Sequence, residues 1–351
     1  MSHYTRTLSI VCFFLLSLGY AQKNSDNVTF ESDVSGVGTS AAAFLEIGIG
    51  ARAAALGNAY TALSNDPTAL YWNPAGVAWA SSMQIEVMQN NWIGERNHQF
   101  AGIVVPLSDW SAAVGLSFTT LDFGDPQKVR TVDQPEGTGE LYDARDIALG
   151  LTYSMALTDR FAFGLTAKYV QERIWSVTSS GFALDMGILY KTELKGLTLG
   201  ANLSNFGTEL QLRGNRLSIT VDPDKNHHNF DRVEATYSTN SYAMPLLFRF
   251  GVAYELQMET FGALLVTTDV MHPSNATESV SLGAEYSVFN LFFLRAGFEN
   301  MFERDHVNGL TLGGGIDYLM EQSNVGLRCD YSWSEWGVLG NAQRVSVGVV
   351  F

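Results

Sequence analysis

The residues of this chain with chemical potential are charged side chains set at every second position among apolar ones. Arg249 and Glu255 share a parity with Gly251 and Ala253, opposite Leu246, Phe248, Phe250, Val252, Tyr254 and Leu256. Arg328 and Asp330 alternate with Val325, Leu327, Cys329, Tyr331 and Trp333, and Arg344 stands on the parity opposite Val345, Val347, Val349 and Phe351. Lys168, Asp269, Arg295 and Asp317 occupy the polar parity of their own segments, together with Asp146, Glu172, Asp185, Glu285 and Glu299. Such a set could line a ligand or ion path. The simpler reading is a cross-strand ion-pair network, because buried charges need partners.

Other chemistries find less support. His227 and His228 lie near Asp222 and Asp224, but the spacing is not that of a metal site and the segment reads as a long polar loop, so no metal is expected. No glycine-rich loop follows a strand to cradle phosphate, and no nucleophile with a partnered base can be picked out. The sequence therefore points away from an enzyme and from a bound cofactor. A net charge of -15 without a basic run argues against a nucleic-acid partner.

The elements that must position these charges are strands. From Ser82 onward the chain falls into about fourteen alternating segments of the length a tilted membrane strand requires. Their expected spans are 82–92, 96–107, 110–121, 143–157, 160–175, 179–191, 195–206, 242–257, 260–271, 278–288, 291–302, 306–319, 323–334 and 342–351, the second and ninth alternating weakly. Charged residues make up only 16% of the chain, while glycine (33 residues) and aromatics (12%) are plentiful, as suits a wall with lipid outside and a wetter interior. A slip of one residue would turn Arg249 and Glu255 into lipid, where an Arg near the midplane costs about 2–4 kcal/mol. The register thus predicts that Phe250→Arg harms assembly far more than a polar side chain at inward Gly251.

Connection lengths agree with this reading. Short turns at 107–109, 158–159, 192–194, 258–259, 289–290 and 320–322 alternate with longer loops, the longest being Asp122 to Tyr142 and Gly207 to Ser241. Short periplasmic turns and long outer loops are the pattern of outer-membrane barrels. Only a closed barrel satisfies strand edges in lipid, and Phe351 resembles the terminal aromatic read by barrel-insertion machinery. The expected fold is all-β: a 14-stranded antiparallel transmembrane barrel with an N-terminal helical plug.

Ahead of the barrel, Arg6, the apolar run from Leu8 to Leu18 and Gly19-Tyr20-Ala21 read as an export signal cut before Gln22. The expected organisation is 1–21 signal peptide, 22–81 plug and 82–351 barrel. Cys12 leaves with the signal, so Cys329 is alone and no internal disulfide is expected. In the plug, Asp66 before Pro67 and Asn73 before Pro74 each read as a helix cap followed by proline at the first position. Asn73 could instead line a substrate passage, and Trp72 could stack a ligand, but capping and packing explain both. Arg52 is the natural mate for the surplus acids of the lumen.

The stretch Phe44-Leu45-Glu46-Ile47-Gly48-Ile49-Gly50-Ala51-Arg52 running on to Tyr60, followed by Tyr71-Trp72-Asn73-Pro74-Ala75-Gly76, closely resembles the hatch of the PorV/PorQ family. More distantly it is similar to FadL-type fatty-acid transporters, which share the Asn-Pro-Ala element. The tail from Asp330 to Arg344 also resembles the end of PorV/PorQ proteins. The resemblance implies a plugged fourteen-stranded barrel in the outer membrane of a Gram-negative bacterium, surrounded by outer-membrane lipids and acting in type IX protein secretion with machinery or secreted-protein partners. The alternative it implies is passage of a hydrophobic ligand, such as a long-chain fatty acid, in the FadL manner.

Overall fold

The computed structural model describes residues 36, 38–222, 233–258, 262–302, 307, 309–320 and 325–351. The expected signal segment, the first residues of the expected plug and the His227-His228 pair lie outside them. Fourteen long strands follow one another: β1 Gln84–Trp92, β2 Arg96–Leu107, β3 Ala112–Asp122, β4 Ala144–Ala156, β5 Phe161–Ile174, β6 Val177–Lys191, β7 Leu197–Gly207, β8 Leu247–Met258, β9 Gly262–Pro273, β10 Ser279–Val288, β11 Phe292–Met301, β12 Leu310–Met320, β13 Val325–Glu335 and β14 Asn341–Val350. Each pairs antiparallel with its neighbours, and β1 pairs with β14, so the sheet closes. Closure leaves no edge for lipid to strand.

Side-chain alternation orients the wall. Phe248, Phe250, Tyr331, Val345 and Val347 are exposed outward, while Arg249, Arg295, Asp330 and Arg344 are buried inside. The weak alternation of β2 and β9 has a physical cause: their inward positions are apolar as well. Phe100 packs on Ile49, Val104 on Leu70, and Leu265 on Ala62, each partner belonging to the N-terminal segment.

That segment runs inside the barrel as short turns, with helices α1 (Ala51–Ala55) and α2 (Ala69–Trp72) and a 3-10 turn at Pro74–Val77. Helix α1 meets β11 to β14, and the Pro74–Val77 turn meets β4 to β6. Facing glycines on adjacent strands make room for it. A Cβ at Gly164 or Gly187 would come within 2.3 and 2.1 Å of Pro74 and Asn73, and one at Gly283 or Gly297 within 2.5 and 2.2 Å of Leu56 and Gly57. The same crowding corrects an expectation. Gly251 is no neutral inward position, since its Cβ would lie 2.4 Å from Asp269 and 2.8 Å from the Ala62 amide.

Two bulges bend the wall. Between β6 and β7 the register shifts at Leu184/Met186, where Asn205 has φ 66 and donates its amide to Asp185 Oδ1 at 2.8 Å. Between β10 and β11 it shifts at Val280/Leu282, where Asn300 has φ 54. Asn tolerates the left-handed conformation that such an extra residue adopts.

The long connections after β3 and β7 are not plain loops. Gln127–Lys128 pairs with Leu141–Tyr142, and Ser218–Val221 with Val233–Thr236. Leu210–Gln211 pairs with Ser241–Tyr242, and Arg213–Gly214 adds to the end of β6. Strand β8 therefore begins at Leu247, later than the expected 242, because 241–242 is used in the loop.

Candidate functional site

The plug is tied to the wall by an ion cluster in the half of the barrel that carries the short turns. Arg52 of α1 grips Glu285 on β10 through Nε (2.9 Å) and Nη2 (2.8 Å), the two-pronged geometry that makes Arg–carboxylate pairs strong. Glu285 also accepts from Arg295 Nε at 2.5 Å, and Arg295 Nη1 reaches Asp330 Oδ1 at 2.5 Å. Arg328 donates to Asp317 through Nε and Nη2 at 3.2 and 3.0 Å. Asp66 of the plug lies 3.9 Å from Arg52 and 3.8 Å from Arg328. It also accepts the Tyr60 hydroxyl, whose proton is held because burial pushes the phenol well above its usual range. With its other oxygen Asp66 accepts the Thr68 amide at 3.0 Å, so it caps the turn as expected while regular helix begins only at Ala69.

Asn73 performs the cap expected of it, accepting the Ala75 amide at 3.1 Å with Pro74 in first position. Its Nδ2 also donates to Thr61 O and to Ile188 O on β6, both at 2.9 Å, so one side chain caps, braces the plug and docks it. Trp72 is buried and donates to Ile49 O at 2.8 Å. Further wall groups take plug amides: Asp269 from Tyr60 and Thr61 (3.0 and 2.9 Å), Thr311 from Gly57 (3.0 Å), Ser346 from Ala51 (2.9 Å) and Glu172 from Ala42 (2.7 Å). Ser346 thereby satisfies the first amide of α1, and Asp269 the amides of the turn at Tyr60 and Thr61.

The expected lumen charges thus divide. Arg295, Asp317, Arg328 and Asp330 join Arg52 and Asp66. Lys168 is elsewhere, 2.9 Å from Asp185. Arg249 forms no ion pair within 4.0 Å among the described residues: it donates to Ser204 Oγ (3.2 Å) and Tyr71 OH (3.3 Å), its guanidinium 5.4 and 5.2 Å from the Tyr71 and Trp72 ring centres. Glu255 is a correction. It shares the inward parity but is exposed near the end of β8, where Gln257 donates to it, so it lies outside the network. Alternation assigns a face and not a depth. Phe351 follows β14 at the seam, its amide donating to Met83 O at 3.0 Å.

Val170 packs on Phe44 and Leu45, and Leu189 on Ala75 and Ala78, so these inward apolar positions hold the plug. A cavity of about 480 Å³ remains at the end of the lumen nearer the long loops, lined by Ile47, Trp72, Trp92, Arg249, Trp336 and Arg344 among others. Residues not singled out in the sequence meet there or near it: Asn90 and His98 sit beside Arg344 in strand register. Inward parity was the signal that could have found them. Among the described residues no group of His, Cys, Asp and Glu is placed to hold a metal ion.

The chain is similar to known barrels in architecture. The toluene transporter TbuX of Ralstonia pickettii aligns with a TM-score of 0.54 at 12% identity, covering 86% of this chain and 97% of that one. The Pseudomonas putida toluene transporter TodX gives 0.54 at 15%, covering 86% and 96%. CymD, described as a monoaromatic hydrocarbon channel, gives 0.56 at 11%, covering 86% and 96%. At such identities the shared property is the fold. No curated protein matches the chain. The family model described as type IX secretion system protein PorV matches residues 30–211, just over half of the chain. A closed fourteen-stranded wall with a lipid-facing apolar surface and this match place the protein in the outer membrane of a Gram-negative bacterium. The chain belongs to the PorV family.

Proposed function

We propose that this barrel is a component or scaffold of type IX protein secretion, presenting its outer loops to machinery or secreted-protein partners. The observation that carries the reading is the family match, whose description names that system. The build of the outer loops supports it. The loop after β3, the β5–β6 turn and the loop after β7 together frame an apolar groove with Lys128, Arg130, Tyr142, Ile174, Trp175 and Leu217, braced by Arg216 over the Trp175 ring and against Glu140. Basic and apolar groups side by side suit a protein partner. The role is non-enzymatic. In this reading residues 1–21 are a cleaved signal, 22–81 form the plug and 82–351 the barrel.

The second reading is a transporter of hydrophobic small molecules such as long-chain fatty acids. It is favoured by the architecture shared with proteins described as toluene transporters. Deleting the gene separates the two. Under the secretion reading, proteins bearing a type IX C-terminal sorting domain accumulate in the periplasm while long-chain fatty-acid uptake stays normal; intact secretion with impaired uptake selects the transporter.

A further inference from the structure

Three arginines stand in one register row on the outward side of the wall, at its long-loop rim. Arg145 on β4 lies directly opposite Arg173 on β5, Arg173 opposite Thr178 on β6, and Thr178 opposite Arg213, which extends the sheet beyond β6. Their chain neighbours Asp146, Glu172 and Ser179 turn inward: Asp146 and Ser179 are buried, and Glu172 takes the Ala42 amide of the plug. Like charges directly opposite each other weaken a strand pair. Two carboxylates offset the row in part. Asp122 at the end of β3 accepts from Arg145 Nη2 at 2.6 Å, and Asp143, just ahead of β4, accepts from Arg173 Nη2 at 2.5 Å. Both pairs have side chains 32–48% exposed, and exposed ion pairs hold weakly. Arg213 bonds only the neutral Gln211 among the described residues. The row thus sets three guanidinia against two carboxylates and keeps most of its N–H donors open.

Below the row the same face turns apolar. Toward the short turns the outward positions pass through Thr120, Ile147, Gln171 and Ser180 to Phe118, Leu149, Tyr169 and Phe182, each set paired across β3 to β6 in that order. At the second of these levels a groove of about 610 Å³ opens in the outer face, lined by Ala101, Phe118, Leu149, Ala167, Tyr169 and Phe182 among others. Ala101 and Ala167 leave the room, and Tyr169 and Phe182, ring centres 5.5 Å apart, form its β6 side. Leu149 and Tyr169 lie four residues from Arg145 and Arg173 along the same strands, about 13 Å at the rise of a strand. Arginine is costly in hydrocarbon, so the row marks the level of the lipid headgroups. A surface for a negative head and a seat for an apolar chain therefore stand one above the other. The guanidinium fork matches phosphate, and the long loops mark the outer side of such a barrel, where the leaflet is built of phosphorylated glycolipid.

We infer that the outward face of β3 to β6 binds lipid A, the phosphorylated glycolipid of the outer leaflet, with a phosphate on Arg145, Arg173 and Arg213 and an acyl chain in the groove below. The site lies on the wall and does not depend on the secretion reading. The test is native mass spectrometry of the purified full-length barrel in detergent with added lipid A, and with the same lipid A stripped of its phosphates. The phosphorylated form binds at least about tenfold more tightly. A chain of formal net charge -15 repels anions as a whole, so that preference has to come from a local cluster. Arg145→Gln combined with Arg173→Gln and Arg213→Gln, checked for heat-modifiable migration, abolishes the preference, and Ala101→Phe, which fills the groove, weakens both forms alike. Equal binding of the two forms, no binding of either, a preference that survives in the folded triple variant, or parental binding by Ala101→Phe overturns the inference. If the triple variant fails to fold, Arg213→Gln, which breaks no ion pair, takes its place and has to cut the preference at least about threefold.

Discussion

Two polar clusters line one wall, and strand β13 carries a member of each, Asp330 and Ser332. Around Asp330, every guanidinium has carboxylates: Arg295 lies between Glu285 and Asp330, Arg52 holds Glu285, and Arg328 holds Asp317. Around Ser332, whose hydroxyl is unpaired, Nε and Nη1 of Arg344, both amide atoms of Asn90 and both ring nitrogens of His98 have no hydrogen-bond partner among the described residues. Inward parity looks alike in both places. The difference is where the plug reaches: α1 supplies Arg52 and the following turn supplies Asp66 to the first cluster, whereas the second opens onto a cavity. Completed ion networks hold a structure together, and an incomplete one keeps the cost of its unsatisfied polar atoms.

The strongest way to break this contrast is at its most buried pair. Arg295→Met leaves Glu285 and Asp330 as buried carboxylates short of a counter-charge, and removing one partner of such a pair costs about 3–5 kcal/mol. The expected outcome is a large loss of the heat-modifiable form at low urea, read by its mobility in gels. A variant as resistant to urea as the parent protein makes the first cluster dispensable.

Next in size is a charge on the other face. Phe250→Arg puts a guanidinium in lipid at a cost of about 2–4 kcal/mol. Assembly into membranes should fall, measured as the folded fraction recovered with lipid vesicles. Unimpaired assembly would mean that β8 is paired one residue out of register and that its polar parity does not face the lumen. Gly251 is no control for this experiment, because Asp269 and Ala62 crowd it.

Strand number, parity and the cap residues were legible in the sequence because each follows from a local rule. Lipid enforces a period of two over about ten residues, and Asn-Pro or Asp-Pro marks a helix start. The rules fail where two surfaces share one strand. At Phe100, Val104 and Leu265 the inward position is apolar because it meets the plug, so β2 and β9 lose their contrast. Depth was also invisible: Arg249 and Glu255 share a face, yet one is buried against Tyr71 and the other is exposed. Pairing could not be read either, because Glu285 finds Arg52 across 233 residues of chain. Two-residue strands such as Gln127–Lys128 carry too few positions to show any period.

A smaller effect is expected where the plug is capped. Asn73→Ala removes the cap on Ala75 together with the bonds to Thr61 O and Ile188 O. A lost cap costs about 1 kcal/mol, and the buried carbonyls left unpaired add about as much. The urea midpoint should fall, by less than for Arg295→Met. Protease sensitivity of the plug should rise while the wall stays folded. If plug and wall become sensitive together, Asn73 supports the whole barrel and not its insert alone.

The smallest shift is expected from the incompletely hydrogen-bonded guanidinium, and it tests the contrast most directly. Arg344→Gln keeps a hydrogen-bonding group in the row with Asn90, His98 and Ser332 but removes a buried guanidinium whose Nε and Nη1 have no hydrogen-bond partner among the described residues. Taking an incompletely hydrogen-bonded charge out of a buried site relieves desolvation, so stability should stay within about 1 kcal/mol of the parent or rise. The same urea titration measures it. A loss as large as that of Arg295→Met would mean that Arg344 is held as tightly as Arg295, and the two halves of the lumen would no longer differ in kind.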